Sequence, residues 1–424
     1  MKILWLKTEL LHPVDKGGKI RTYQMLKELK KEHEITYLTL DDGCAAPDAC
    51  DLAAEYCNEL ITIPHRVSAK FSGRFYSELA ANLLSGLPYF IEKYRSQAMR
   101  QEIEKVLAEN SHDILICDFL HPAINLPDDI NIPTLLFQHN VEAMIWKRHY
   151  EVSDNSAKRV YLRSQWERAR RFERQACRRF DVVVAVSKED AEAFRSEYGL
   201  DRVFEIGTGV DTEYFSPING DRTVKPNIVF TGSMDWLPNS DAVKWFIKEI
   251  FPRIKTEVPE ATFTVVGRDP FPDLIELAKR DPSITVTGRV DDVRPYMRDA
   301  AVFVVPIRIG GGTRLKIFEA MAMGLPVVST TIGAEGLPVN DGKELLLRDP
   351  ENSFGEAVIS LLRNRDKAEA LSGRGLRTVR NEFAWSTIAK QFAEIANVNV
   401  IANENQMTAP PLVDDTFGRS VHSA

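Results

Sequence analysis

Short, continuously apolar runs rich in β-branched residues recur along this chain, separated by longer stretches of helical character. Strands that are apolar throughout belong in parallel sheets covered by helices on both faces. Before residue 210 such runs lie at 3–6, 35–40, 60–63, 114–117, 134–137, 182–186 and 203–206. After it they lie at 228–231, 262–266, 284–287, 301–305, 326–329 and 345–347. At 424 residues the chain is too long for one ordinary core, so the pattern reads as two doubly wound α/β domains, 1–216 and 227–384. The stretch from Ser216 to Pro226, full of turn residues and poor in apolar ones, is the natural link. Ligands of such sheets bind beyond the carboxyl ends of the strands, so two facing domains enclose one cleft, where the site is expected. Residues 403–424 lack periodicity and read as a disordered tail.

The bulk numbers narrow the partners. A net charge of −7 gives no general attraction to nucleic acid, so a phosphorylated ligand must be held by local cations. Cys44, Cys50, Cys57, Cys117 and Cys177 form no CxxC pair and have no histidine at metal-ligand spacing, which fits a reducing cytoplasm. The opening seven residues are too short for a signal peptide, and no apolar run reaches the roughly 18 residues of a membrane span, so membrane contact would be peripheral.

The densest chemistry lies at 306–329. Gly310, Gly311 and Gly312 let backbone approach a ligand, and the helix that follows offers its free N–H groups and positive dipole end to an anion. Thr313 suits its N-cap, Gly324 its end, and Pro326 prevents continuation. Leu315, Phe318 and Ala322 are expected on its buried face, leaving Lys316 and Glu319 side by side on another. Two readings follow: a surface ion pair worth about 0.2–0.5 kcal/mol, or a diphosphate and ribose site.

Other strand ends carry weaker signals. Gly17 and Gly18 open a helix after the first strand and could cradle a phosphate or sugar, although no GxGxxG fingerprint is present. His139 follows a buried-type strand directly, and Asp118 and His121 follow the strand before it; a histidine so placed is either a cleft group or a structural one. Gly288 and Val290 lie in a strand-end turn that could read a base edge through main-chain groups, or merely connect. Residues 156–179 form a helix with far more arginine than acid, either a solvated face or a contact for anionic lipid headgroups.

These segments resemble family 4 of the retaining GT-B glycosyltransferases over nearly the whole chain, up to about Ala396. The likeness is strongest at Arg308 to Ala322, at Gly333 to Leu337, and at Ala185 to Asp190 followed by Gly209, Val210, Asp211 and Phe215. Thr231 to Asn239 looks like the sugar transferases of exopolysaccharide clusters. The resemblance implies an α/β fold of GT-B type, two Rossmann-like domains facing across a cleft, with a last helix at 385–398 packing back on the first domain. It implies that Glu319 holds the ribose hydroxyls, that Gly17 and Gly18 sit by the diphosphate, that Gly232 and the 310–313 loop border the donor, and that His139 lies near the transferred sugar. Two positions depart from the family pattern: Gly311 stands where a donor-sugar glutamate is usual, and the Arg and Lys that usually follow the first strand of the second domain are replaced around Gly232 to Trp236. Arg314 and Lys316 remain to neutralise the leaving diphosphate.

The functional expectation is a metal-independent, cofactor-free transferase of cytoplasm or inner membrane face, moving a hexose from a UDP- or GDP-linked donor to a glycan or lipid-linked acceptor with retention. The rival is a non-catalytic nucleotide-sugar-binding partner in polysaccharide assembly.

Overall fold

The computed structural model describes residues 1–69, 71–151, 153, 155–217, 225–309 and 315–408. The first sheet is built from β1 (Lys2–Lys7), β2 (Glu34–Asp41), β3 (Glu59–Pro64), β4 (Ile114–Asp118), β5 (Thr134–Gln138), β6 (Val182–Ala185) and β7 (Val203–Glu205). The second holds β8 (Asn227–Thr231), β9 (Thr262–Val266), β10 (Ile284–Val286), β11 (Val302–Val305), β12 (Val327–Ser329) and β13 (Leu346–Leu347). Their orders are β3-β2-β1-β4-β5-β6-β7 and β10-β9-β8-β11-β12-β13. The pairings are parallel, as at Leu4 beside Leu115 and Phe303 beside Val229. In each sheet the order reverses beside the first strand, between β1 and β4 and between β8 and β11. Connections diverge there to opposite faces and leave a crevice at the strand ends.

Each sheet is sealed by its own apolar core, for example Leu4, Leu115 and Leu136 in one and Phe230, Phe263 and Val304 in the other. A third core runs through both domains, joining Trp5 and Phe137 to Phe303, Phe318 and Phe392. Its centre is the return of the chain. Val210 N donates to Phe383 O at 2.8 Å and Trp385 N to Val210 O at 3.3 Å. Phe383 stacks on Phe318 at 4.5 Å, and the Trp385 ring lies where a Cβ on Gly209 would sit, 2.6 Å away. No larger residue fits at Gly209 while this crossing stays closed.

The last helix, Trp385–Thr408, packs Phe392 against Trp5 and Phe137, with ring centroids at 5.7 and 5.1 Å. It passes the expected end at 398 and enters the stretch read as a disordered tail. Asn399 explains the extension: its buried side chain donates to Thr134 O at 3.3 Å and accepts from Arg202 at 3.2 Å. No proline interrupts the helix before Pro410.

Candidate active site

The amino-terminal side of the cleft is built around a charge that β1 has no apolar use for. Lys7 is almost wholly buried, and its ammonium lies 2.9 Å from Asp118 Oδ2 at the end of the neighbouring β4. It also donates to Thr22 Oγ1 at 2.8 Å, while that hydroxyl and the Trp5 indole reach the same carboxylate oxygen at 2.6 and 3.1 Å. A buried ion pair survives only when such hydrogen bonds replace lost water. Burial alone would raise the Asp118 pKa; Lys7, and after it His139, reverse that and hold the carboxyl below the usual range.

His139 follows β5 and places Nε2 2.8 Å from the other oxygen of Asp118. The approach is too poorly aligned for a formed hydrogen bond, so Asp118 Oδ1 and both ring nitrogens lack a hydrogen-bond partner among the described residues. The contact is therefore electrostatic. The ring stacks on Phe119 at 3.9 Å, and burial pulls its pKa down to about 3 against the pull of Asp118. At neutral pH it is an uncharged imidazole. Phe119 itself has φ 68, a left-handed backbone unusual for a bulky side chain. Its ring also receives the Lys7 ammonium at 4.5 Å and would meet a Cβ on Gly18 at 3.0 Å.

The helix Gly17–Leu29 starts at this switch point with no side-chain cap from Lys16. Its core face is Thr22, Met25, Leu26 and Leu29, whereas Ile20 and Tyr23 are only half-buried. Arg21 donates to Thr208 Oγ1 at 2.6 Å, and its Nε is buried without a hydrogen-bond partner among the described residues. Burial lowers the Arg21 pKa to about 10, opposed by Asp118 and Asp190, so the guanidinium stays charged. Ser187 caps the neighbouring helix Lys188–Tyr198 by accepting from Asp190 N at 3.1 Å.

A cavity of about 480 Å³ gathers Gly17, Gly18, Arg21, His139 and Ser187 from the first domain with Leu315, Glu335 and Gly336 from the second. Leu315, expected in the core, is only half-buried and lines this cavity. Ile317, Phe318, Ala320, Met321 and Ala322 of the helix Leu315–Ala322 make the buried face instead. Gly310, Gly311, Gly312, Thr313 and Arg314 lie outside the described residues. Gly324 has φ 70 and ends the helix as expected of a glycine C-cap.

On the second domain Lys316 follows the cavity-lining Leu315. It donates to Asn239 Oδ1 at 3.0 Å, and its ammonium lies 4.2 Å from the Phe230 ring centroid. Gly232, at the end of β8, sits beneath it: a Cβ there would come within 2.6 Å of Lys316 Nζ and 2.8 Å of Asn239 Nδ2. A Cβ on Gly267 would fall 1.7 Å from Gly232 O, so the two strand ends touch backbone to backbone. Glu319 is half-buried, and desolvation pushes its carboxyl up to about 7, with Lys316 pulling the other way. Gly288, at φ 71 past β10, needs its glycine for the backbone alone, and the Val290 side chain packs on the core. His121 sits among the rings of Phe90, Tyr94 and Phe119, and burial lowers its pKa to about 3.

One group that supports the site is far from it in sequence. Glu173 accepts from Glu142 N and Ala143 N, both at 2.9 Å, and from the Tyr198 hydroxyl at 2.8 Å. It thereby caps the helix Glu142–Glu151 that begins just after His139. Burial raises the Glu173 pKa to about 7 although these donors favour the charged form.

Two Rossmann-like sheets facing across a cleft define a GT-B protein. Residues 16–214 match the Glycosyltransferase Family 4 model and residues 225–364 the Glycosyl transferases group 1 model. The first stretch holds β2 to β7 of its sheet and the second holds β8 to β13 of its own, and the chain is a glycosyltransferase. It is 19% identical to an uncharacterized 44.6 kDa protein in the cps region of Klebsiella pneumoniae, over 86% of this chain and 91% of that one. It is 27% identical to a GDP-mannose-dependent alpha-(1-6)-phosphatidylinositol monomannoside mannosyltransferase of Mycobacterium tuberculosis, over 50% of this chain and 61% of that protein's length. Among solved structures, Anabaena HepE in complex with UDP shares the fold, with a TM-score of 0.63 at 15% identity and coverage of 94% and 100%.

Proposed function

We propose that this glycosyltransferase moves a hexose from a UDP- or GDP-linked donor to a glycan or lipid-linked acceptor, with retention, in surface polysaccharide synthesis within the cytoplasm. The observation that carries the reading is the convergence, in one cavity, of an uncapped helix start, Arg21 and neutral His139 from one sheet with Leu315 from the other, the residue that opens the helix carrying Lys316 and Glu319. Glu319 serves as acceptor for the ribose hydroxyls. The diphosphate lies between the Gly17 helix start and Lys316, whose charge answers the charge that develops as the glycosidic bond breaks. Arg314, outside the described residues, adds a second cation, and the 310–313 glycine loop together with Gly232, Gly288 and Val290 borders the donor. These groups supply the neutralisation a divalent ion supplies elsewhere, so turnover is expected to survive chelator. His139, uncharged, hydrogen-bonds the sugar or acceptor in the transition state. The leaving diphosphate oxygen takes the acceptor proton on the face it departs from, which gives retention.

The cps-region relative supports a surface-polysaccharide role, and the mannosyltransferase and the UDP complex support a nucleotide-linked donor. A thermal-shift screen of nucleotide sugars, followed by nucleotide release with acceptor, tests the reading; ligand at 100 times its Kd stabilises by about 2.7 kcal/mol. Binding without turnover on any acceptor would instead identify a non-catalytic partner.

A further inference from the structure

The second domain lends the cavity only Leu315, Glu335 and Gly336, and of these Glu335 alone is charged. It is exposed, and its carboxylate has no hydrogen-bond or ion-pair partner among the described residues. A solvated acid on a loose loop would need no explanation, but this one stands on a turn fixed from several sides. After β12 the chain makes the single turn Ile332–Ala334. Gly333 N donates to Thr330 Oγ1 at 2.8 Å, and that hydroxyl donates in turn to Ile307 O. A Cβ on Gly333 would fall 2.5 Å from Ser329 Oγ and 2.7 Å from Val305 O, so the turn packs directly on the ends of β11 and β12. Asp349 pins the residue before it, accepting from Thr331 N at 2.8 Å and from the Thr331 hydroxyl at 2.7 Å. Gly336 then takes φ 75, a left-handed backbone that glycine adopts without strain. Gly333, Ala334 and Leu337 are buried, and Glu335 is left in the cavity wall.

The first domain lines the same cavity with His139, whose ring nitrogens are both buried without a hydrogen-bond partner among the described residues, and with Arg21, whose Nε is likewise unpartnered. Buried polar atoms are nearly always partnered, so these mark where a ligand can supply the bond. What lies in this cavity must donate to a carboxylate and also hydrogen-bond a neutral imidazole. A diphosphate ester has no proton to give, and its charge opposes Glu335. A cation would meet Arg21 and Arg148 in the same space. A sugar ring suits both, since each hydroxyl donates and accepts. We infer that Glu335 holds the transferred hexose, accepting from its ring hydroxyls, and so sets which hexose the site takes. The inference rests on the nucleotide-hexose donor proposed above and adds to it the residue that reads the sugar. A carboxylate selects in this way because a hydroxyl that is missing or inverted leaves it desolvated with no donor.

The test is calorimetry of the full chain with UDP-glucose, UDP-galactose, UDP-N-acetylglucosamine and GDP-mannose, each beside the bare UDP or GDP. Glu335 is exposed, so Glu335→Ala and Glu335→Gln should fold with the unfolding temperature of the wild type. Glu335→Ala should raise the Kd of the nucleotide hexose that the wild type binds best by about tenfold or more, with the Kd of the matching diphosphate unchanged. Glu335→Gln should lose less, and in both variants the wild type's preference among the hexoses should shrink. Equal loss for hexose and bare diphosphate would move Glu335 to the diphosphate and overturn the inference. So would unchanged affinities, or a change confined to the KM of the acceptor. A wild type that binds the diphosphates but none of the hexoses overturns it as well while leaving the nucleotide site in place, whereas one that binds neither removes the proposed donor site itself.

Discussion

The two walls of the cleft hold their polar groups in opposite ways. On the first domain Lys7, Thr22, Trp5 and Asp118 close on one another in a buried network, with His139 against its edge. On the second, Lys316 leans on Asn239 and Phe230, while Glu319 is desolvated enough to reach a pKa of about 7. On the first wall the Lys7–Asp118 pair is closed before any ligand arrives, while both His139 ring nitrogens and Arg21 Nε are buried without a hydrogen-bond partner among the described residues. The second holds a carboxylate that a ligand's hydroxyls would stabilise. A fixed ion pair beside unpartnered His139 on one wall, and a desolvated carboxylate on the other, suit the proposed donor held from the second domain and a reaction arranged by the first.

Breaking the closed wall should cost most. Asp118→Ala leaves Lys7 buried without its counter-charge and is expected to destabilise by about 3–5 kcal/mol in denaturant unfolding. Lys7→Met with Asp118→Leu should recover much of that stability without restoring turnover, because His139 loses its neighbour. If turnover returns with stability, the network is scaffolding only. On the open wall, Lys316→Ala should lower kcat/KM by about 2–4 kcal/mol with little change in unfolding temperature. A change within about twofold in steady-state kinetics would reduce Lys316 to surface decoration.

Smaller effects separate binding from chemistry. Glu319→Ala should weaken donor binding by about 1.5–3 kcal/mol in calorimetry. The smallest signal is in pH. Because the folded Glu319 pKa of about 7 is raised above the ordinary glutamate value, its stabilising contribution is complete below that ordinary value and is lost as pH rises through about 7. Donor binding needs the ionised form, so affinity should rise over the same interval. Glu319→Gln should flatten the affinity trend and remove only its own share of the stability trend, since Glu173 is raised over the same interval, and an unaltered affinity profile would detach the carboxylate from the donor.

The strands were legible because each is an apolar run long enough to be buried on both faces; the run at 262–266 is β9 itself. Their consequence, a cleft at the two order reversals, followed from the same pattern. The Lys7–Asp118 pair was not legible, since 111 residues separate them and only the placement of β1 beside β4 brings them together. The one signal available was a lysine closing the apolar run 3–6. Glu173 gave less, being one acid in an arginine-rich helix, and its role depends on where a different helix begins. Gly209 was visible as part of a motif, but its reason is the ring of Trp385, supplied by the far end of the chain. Leu315 was misjudged because helical periodicity fixes which residues share a face without saying where the cleft cuts across it.

The most direct test of the account is nucleotide release from UDP- and GDP-hexoses, with a lipid-linked acceptor, by wild type and His139→Ala at matched folded concentration. The wild type should release nucleotide, and the variant should show a fall in kcat of about 10²-fold or more with donor affinity retained. Full turnover per folded molecule in His139→Ala would contradict it, as would a wild type that binds no nucleotide sugar.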